Sequence, residues 1–410
     1  MPEVSFDSLL IICVIAALAP LIAGALPKLR VPAVVLEIMA GIVVGPSGLD
    51  WVQIDTPVQI LALFGLAFLL FLAGLEIDLA RLRGRSLGVA VGGYVVTLGL
   101  GLAAGSALDA AGWIQQPLLI AIALSATSLG LVVPVLKDAG QSASAVGQVA
   151  IAGATVADFA AIVLLSFFFS TSGGSAGAKV VLLTAFTAMV VLTAVVVLGA
   201  GRSMRLGDLL IRLQDTTAEI RVRLAVVLLV AFVAFASRFG LESILGAFLA
   251  GAVVSLVDRD SSSHPHLRTK LDAIGFGFVV PVFFISSGIK LDLTGLMHSP
   301  GALIRVPVFL IILLIVRGVP ALLSLRELGA RATLAVGLLQ ATSLPFLVTA
   351  TQIGLVLGKI STVTAAAIVC AGLLSVLLFA PIALSLLRKS QPEPDPPERP
   401  DRHVRKAASN

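Results

Sequence analysis

Apolar residues in this chain come in long blocks, without the short period-two or period-3.6 alternation of a soluble domain. Thirteen such blocks can be traced, at about 8–26, 32–48, 56–76, 86–107, 117–136, 146–170, 178–200, 221–239, 241–257, 272–290, 300–324, 331–356 and 360–387. As helices rising about 1.5 Å per residue, blocks of this size cross roughly 30 Å of hydrocarbon, with 32–48 and 241–257 at the short limit. The pattern predicts an all-α polytopic membrane protein of about 13 transmembrane helices. Composition agrees: 58% of residues are hydrophobic and 12% charged, and mean hydropathy is +1.08, against about 25% charged in soluble domains. The first block does not read as a signal peptide, because Glu3 and Asp7 stand where basic residues are expected.

Lys and Arg set the orientation. With the N-terminus outside and alternate loops inside, 22 of them fall on the inner loops and tail and five on the outer side: Lys179, Arg238, Lys290, Arg305 and Lys359. This asymmetry predicts a multi-pass protein of the cell membrane with a cytoplasmic C-terminus, and it accounts for the net charge of +5 without a nucleic-acid partner. Residues 1–389 then form one membrane domain. Residues 390–410, with Pro392, Pro394, Pro396, Pro397 and Pro400 among charges, are expected to be a disordered cytoplasmic tail with no soluble domain after the membrane part. Cys13 and Cys370 lie within spans and read as small apolar packing residues.

Several short phrases recur. Leu36–Gly41 in span 2 aligns with Gly246–Gly251 in span 9 at an offset of 210, and Gly74–Leu79 after span 3 with Gly288–Leu293 after span 10 at 214. Ala126-Thr127-Ser128-Leu129 in span 5 returns as Ala341-Thr342-Ser343-Leu344 in span 12, at 215. Spans 2–6 therefore repeat as spans 9–13. Seven spans separate equivalents, and an odd number makes the second copy cross the membrane upside down. Both Ala-Thr-Ser-Leu phrases sit close to a proline, Pro134 or Pro345, which cannot donate a backbone hydrogen bond. The expectation is two broken helices that cross near the midplane, the arrangement that marks the binding site of many secondary transporters. Chance recurrence in a chain rich in these residues is the competing explanation.

An ionised side chain inside the bilayer costs several kcal/mol and needs a reason. Three candidates lie within spans: Asp158 near the middle of span 6, Arg317 in span 11, and Glu37 nearer the inner end of span 2. Asp158 has no charged neighbour along its helix, so one functional reading is a carboxylate that holds a proton and a cation in turn. The competing one is a permanent Asp158–Arg317 salt bridge that only joins helices. Hydroxyls of Thr127, Ser128, Thr155 and Thr342, with freed carbonyls, would complete an oxygen shell for Na⁺ or K⁺; local bonds to backbone carbonyls are the alternative. Arg317, always protonated, suits compensation of negative half-helix ends. Glu37 is a secondary candidate, read first as a packing residue. His264 and His266 belong to a Ser-rich loop. No nucleotide-cradling glycine loop, Cys/His metal set or nucleophile–base pair is present, so neither an enzyme's active site nor a cofactor is expected.

Longer phrases resemble the second monovalent cation:proton antiporter superfamily of bacterial sodium/proton and potassium/proton exchangers. Pro32–Gly41 with Gly45-Pro46 is similar to its early Pro–Gly–Gly-Pro helix, Phe71–Glu76 to its F-x-x-G-L-E segment, Ala123–Ser128 to its unwound helix, and Leu245–Gly251 to its L-G-A-F-x-A-G. The resemblance covers most of residues 8–387. It implies H⁺ exchanged for Na⁺ or K⁺ in pH homeostasis, a homodimer, and a core (spans 4–6 and 11–13) moving like an elevator against a scaffold (spans 1–3 and 8–10), with span 7 as linker. It also implies ion binding at Asp158 and the basic residue at Arg317. Relatives usually have Asp, Asn or Gln before that aspartate. Ala157 stands there, and a lone carboxylate implies a one-for-one, electroneutral exchange. A cation channel or uniporter, a non-transporting sensor, and an organic-anion symporter remain as alternative readings.

Overall fold

The structure, a computed structural model, describes residues 6–25, 32–76, 85–138, 140–169, 176–201, 219–257, 266–298 and 300–388. The proposed tail and much of the basic loop sequence, including His264, lie outside the described residues. Among those described, every regular element is helical. The first four are α1 (Asp7–Ala25), α2 (Ala33–Val44), α3 (Thr56–Leu75) and α4 (Arg85–Ala110). Span 5 is split into α5 (Pro117–Ser125) and α6 (Leu129–Asp138), and α7 (Ala145–Phe169), α8 (Ala176–Gly201), α9 (Ile220–Arg238) and α10 (Ser243–Val257) follow.

Span 10 is α11 (Leu267–Ile289). It carries a π turn at Gly275–Val279, just before Pro281, which cannot donate to the carbonyl four residues back. Short helices α12 (Leu293–Met297) and α13 (Pro300–Leu303) lead into α14 (Arg305–Gly318), which runs on as a 3₁₀ segment, Val319–Ser324. Span 12 is split into α15 (Leu325–Gln340) and α16 (Pro345–Val356), and α17 (Thr362–Arg388) closes the described chain. The thirteen apolar blocks thus all appear as helices. Among the described residues eight stretches are long and apolar enough to cross a membrane unaided, Gly301–Val356 being treated as one, while α2 and parts of α8 and α10 form shorter apolar helices.

Local chemistry fixes several ends. Asp55 caps α3 by accepting from the Val58 N–H at 3.0 Å, with Pro57 in the first turn, where a missing N–H costs nothing. Pro117 and Pro345 open α5 and α16 in the same way. Gly329, inside α15, adopts φ 74° and ψ 163°, so that element is kinked there, between a short first segment and the stretch that runs to Gln340.

Two backbone-close crossings hold one half of the molecule together. On α2, a Cβ at Gly41 would overlap the Ile285 carbonyl of α11, and one at Gly288 would overlap the Ile38 carbonyl. On α3, a Cβ at Gly74 would overlap the Phe248 carbonyl of α10, and one at Gly251 the Phe71 carbonyl. Lipid tails are as apolar as Leu, so helices in a bilayer associate through such close van der Waals approach of small residues. Gly41 aligns with Gly251 and Gly74 with Gly288 in the repeat. A two-fold operation relating the copies would therefore interchange these two crossings. The other half gathers α4–α7 and α14–α17; Val132, Ala150, Val336, Leu339 and Phe379 are buried in a common cluster there.

Candidate functional site

The two broken helices meet at their interruptions. Past Ser125 the backbone of Ala126 is extended, at φ −78° and ψ 155°, and helix resumes at Leu129. The second break runs from Gln340 to Pro345, with Leu344 at φ −135° and ψ −57°. The breaks are stitched directly: the Ser128 N–H donates to the Thr342 carbonyl at 3.2 Å, and the Thr127 hydroxyl donates to the Gln340 carbonyl at 2.8 Å.

Each break exposes backbone groups that the helix ladder no longer satisfies, N–H at a half-helix start and C=O at a half-helix end. Asp158, on α7, supplies the first need. Its Oδ1 accepts from the Thr127 N–H at 3.1 Å and its Oδ2 from the Leu129 N–H at 3.2 Å, so the carboxylate sits on the positive end of α6. Arg317, on α14, supplies the second. Its Nε donates to the Gln340 carbonyl at the end of α15 at 3.3 Å, its Nη1 to Thr97 Oγ1 at 3.3 Å, and its Nη2 to Thr127 Oγ1. Both are almost wholly buried, Asp158 at 7% and Arg317 at 2% exposure.

The two charges do not pair. Arg317 spends its donors on the Gln340 carbonyl and on the Thr97 and Thr127 hydroxyls, and Asp158 accepts from two backbone amides. Thr127 lies between them, its N–H bonded to the carboxylate and its hydroxyl to the guanidinium and to Gln340. The permanent Asp158–Arg317 bridge considered from sequence is not made. A carboxylate has about four lone-pair positions, so two amide bonds leave Asp158 room for a proton or cation.

The second break is closed differently. Ser375, on α17, accepts from the Ser343 N–H at 3.2 Å and donates to the Gly372 carbonyl at 2.7 Å. Ser343 is the repeat equivalent of Ser128. A hydroxyl therefore serves one half-helix start and a carboxylate the other, so of the two starts only that of α6 faces a charged side chain.

Asp158 lines a cavity of about 220 Å³, together with Thr127, Ser128, Glu37 and Glu76 among apolar residues such as Leu69, Phe284 and Phe346. The cavity runs toward the start of α2 and the end of α3, with Phe276, Val280, Pro281 and Phe284 from the middle of α11 along its wall. Among the described residues no three His, Cys, Asp or Glu side chains gather closely enough to hold a metal ion; the three carboxylates are spread along the cavity. Glu37 is buried. Glu76 Oε1 lies 3.6 Å from Arg268 Nη2, and its Oε2 is buried without a hydrogen-bond partner.

Of the hydroxyls singled out from sequence, Thr127 and Ser128 reach the cavity. Thr155 donates to its own helix at Ile151, at 2.8 Å, and Thr342 to Leu338, at 3.0 Å, the back-bond usual for hydroxyls inside helices; neither lines the cavity. Sequence reading missed Glu76, because it stands at a span end where a carboxylate raises no question. It also missed Gln340, Thr97 and Ser375, whose importance comes from what the fold brings to them.

The family profile described as "Sodium/hydrogen exchanger, transmembrane" matches residues 13–388. The chain is 33% identical to the Putative Na(+)/H(+) antiporter YjbQ of Bacillus subtilis, over 96% of this chain and 65% of that protein, and so spans just under two thirds of that relative's length. It is 30% identical to the Na(+)/H(+)-K(+) antiporter GerN of Bacillus cereus, over 66% of this chain and 68% of that one. The solved structure of the sodium proton antiporter MjNhaP1 from Methanocaldococcus jannaschii shares the fold, with a TM-score of 0.66, 18% identity, and coverage of 93% of this chain and 98% of that one. The crossed broken helices, the buried aspartate between them and these similarities lead to one assignment: the chain belongs to the transmembrane sodium/hydrogen exchanger family.

Proposed function

We propose that this protein is a secondary antiporter that exchanges H⁺ for Na⁺ or K⁺, one for one, across the cell membrane. The observation that carries the proposal is Asp158, a buried carboxylate held on the positive end of a broken helix and facing a cavity. Proton and cation compete for the same oxygens, and that competition is the coupling. A second carboxylate beside Asp158 would let the site keep a charge while exchanging two protons; Ala157 gives it none, which supports electroneutral exchange. Thr127 and Ser128 supply oxygens near the carboxylate, while Arg317 holds the ends of the crossing in place without touching Asp158.

Glu76 and Glu37 line the route to Asp158. With the N-terminus outside, as the Lys and Arg distribution favours, this route opens to the cytoplasm, so the conformation is inward-facing. Two carboxylates along it concentrate cations before capture. Access from the other side then requires movement of the half containing α4–α7 and α14–α17 past α2, α3, α10 and α11, and an elevator stroke in a homodimer fits that division.

The test is reconstitution. Proteoliposomes carrying a pH-sensitive dye should show dequenching on addition of Na⁺ or K⁺ with wild type and none with Asp158→Asn. Equal signals from both would remove Asp158 from the reaction. Rates that rise steeply with a clamped membrane potential would refute the one-for-one stoichiometry.

A further inference from the structure

A second cavity, of about 340 Å³, lies at the opposite ends of the helices from the mouth of the Asp158 cavity. It sits where α4 and α16 end and α5, α14 and α17 begin. Trp113, Gln115, Arg305, Lys359 and Ser361 are among its lining residues, and no carboxylate is. Asp109, in the last turn of α4, is not among the lining residues, and Asp292 is engaged elsewhere, by the Gly295 N–H at 2.7 Å and the Thr362 hydroxyl at 3.1 Å.

The two cations are prepared differently. Arg305 is pinned: its guanidinium lies over the Trp113 ring, 5.4 Å from the centroid, and its Nη1 donates to Thr364 Oγ1 at 2.8 Å. Thr364 in turn donates to the Trp113 carbonyl at 3.2 Å. That network leaves Arg305 Nε buried with no acceptor, and a buried donor without a partner calls for an explanation. Lys359 makes no hydrogen bond or ion pair through its ammonium with any described residue. Three helix N-termini, those of α5, α14 and α17, border the same space and add positive partial charge.

Two cations with no carboxylate against them among the described residues, a buried donor without an acceptor and converging helix starts suit a tetrahedral oxyanion, since Arg forks and point-charge Lys are the usual phosphate-binding pair. The position suits a headgroup. All the lining belongs to helix ends, Trp113 has the amphipathic ring that settles at the membrane interface, and Val356, at the end of α16 next to the cavity, is 85% exposed, an apolar side chain available to an acyl chain. We propose that this cavity binds a phosphate group, supplied by an anionic phospholipid headgroup at the membrane surface.

The full-length protein, purified in detergent and stripped of lipid, should be titrated with phosphatidylglycerol, with phosphatidylcholine and with inorganic phosphate, and bound ligand counted by native mass spectrometry. Wild type should bind phosphatidylglycerol in preference to phosphatidylcholine. Lys359→Gln should weaken that binding several-fold and the Arg305→Gln/Lys359→Gln pair by about tenfold or more, the loss expected for charge-assisted hydrogen bonds. Because the Lys359 side chain is bonded to no described residue, K359Q reports on the site even if R305Q disturbs folding. Inorganic phosphate that binds alone and displaces the lipid would assign the site to free phosphate instead of a headgroup. Unchanged phosphatidylglycerol affinity in K359Q and the double variant, or equal binding of the two lipids, would overturn the proposal.

Discussion

Replacing Arg317 by Gln separates a structural role from an ion-binding one. Arg317 makes three hydrogen bonds at the crossing, to the Gln340 carbonyl, Thr97 and Thr127. Bonds to a charged group contribute about 1.5–3 kcal/mol each, but they are not all lost. The Gln340 carbonyl keeps the Thr127 hydroxyl, and Thr97 loses only an acceptor role. What disappears is the positive charge at the end of α15, up to ~2 kcal/mol in a buried setting, and the fork that ties α14 to both breaks. The net loss should be about 3–5 kcal/mol, the usual cost of removing one member of a buried charged network. Arg317→Lys keeps the charge but offers a point donor in place of a planar fork, and should restore roughly half of that stability. Thermal unfolding in detergent, followed by size-exclusion fluorescence, should rank wild type above R317K above R317Q. Below the melting range, Na⁺ affinity of the variants should stay within about tenfold of wild type, a change of about 1.4 kcal/mol at the ion, since Arg317 has no bond to Asp158 and reaches the site through Thr127. Unchanged melting with a collapsed Na⁺ affinity would refute this division of labour.

Other outcomes follow from the same geometry. Gly41→Ala and Gly74→Ala each drive a methyl into a facing carbonyl, and each should destabilise by about 1–3 kcal/mol, the usual cost of overpacking, read as a lowered melting temperature. Because proton and cation compete for one carboxylate, the apparent KM for Na⁺ or K⁺ should fall by about tenfold per pH unit while the carboxyl is mainly protonated and level off above that range; a KM independent of pH would contradict competition. Glu76→Gln should raise KM several-fold at low ionic strength and less at high salt, because the charge acts along the route and is screened, with maximal exchange retained.

Much of the architecture was legible because membrane helices declare themselves by length, and because glycine repeats at helix crossings leave a sequence trace. The pairing of Gly41 with Gly288 and of Gly74 with Gly251 is an example: the repeat offsets identified the positions, and close packing explains their identity. The two breaks were legible from Ala-Thr-Ser-Leu and, for the second, from Pro345, which opens α16, whereas Pro134 lies inside α6. Individual hydroxyls were not. Thr127 and Thr342 occupy equivalent places in one motif, yet the first bridges Asp158, Arg317 and Gln340 while the second bonds back to Leu338. A threonine's choice between its own helix and a distant partner depends on what packs opposite, and a single helix does not encode that. Ser375 was missed for the same reason, acquiring its setting from Ser343, far away in the chain.

The central claim is that one carboxyl group holds a proton and a metal cation in alternation. Its most direct measurement is proton release from weakly buffered, detergent-solubilised protein on addition of Na⁺ or K⁺ at fixed ionic strength, since a ligand must lose its proton to take up a cation. Wild type should release about one proton per cation bound, and Asp158→Asn should release none and bind no cation. Cation binding without proton release in wild type, or undiminished release from the Asn variant, would contradict the account.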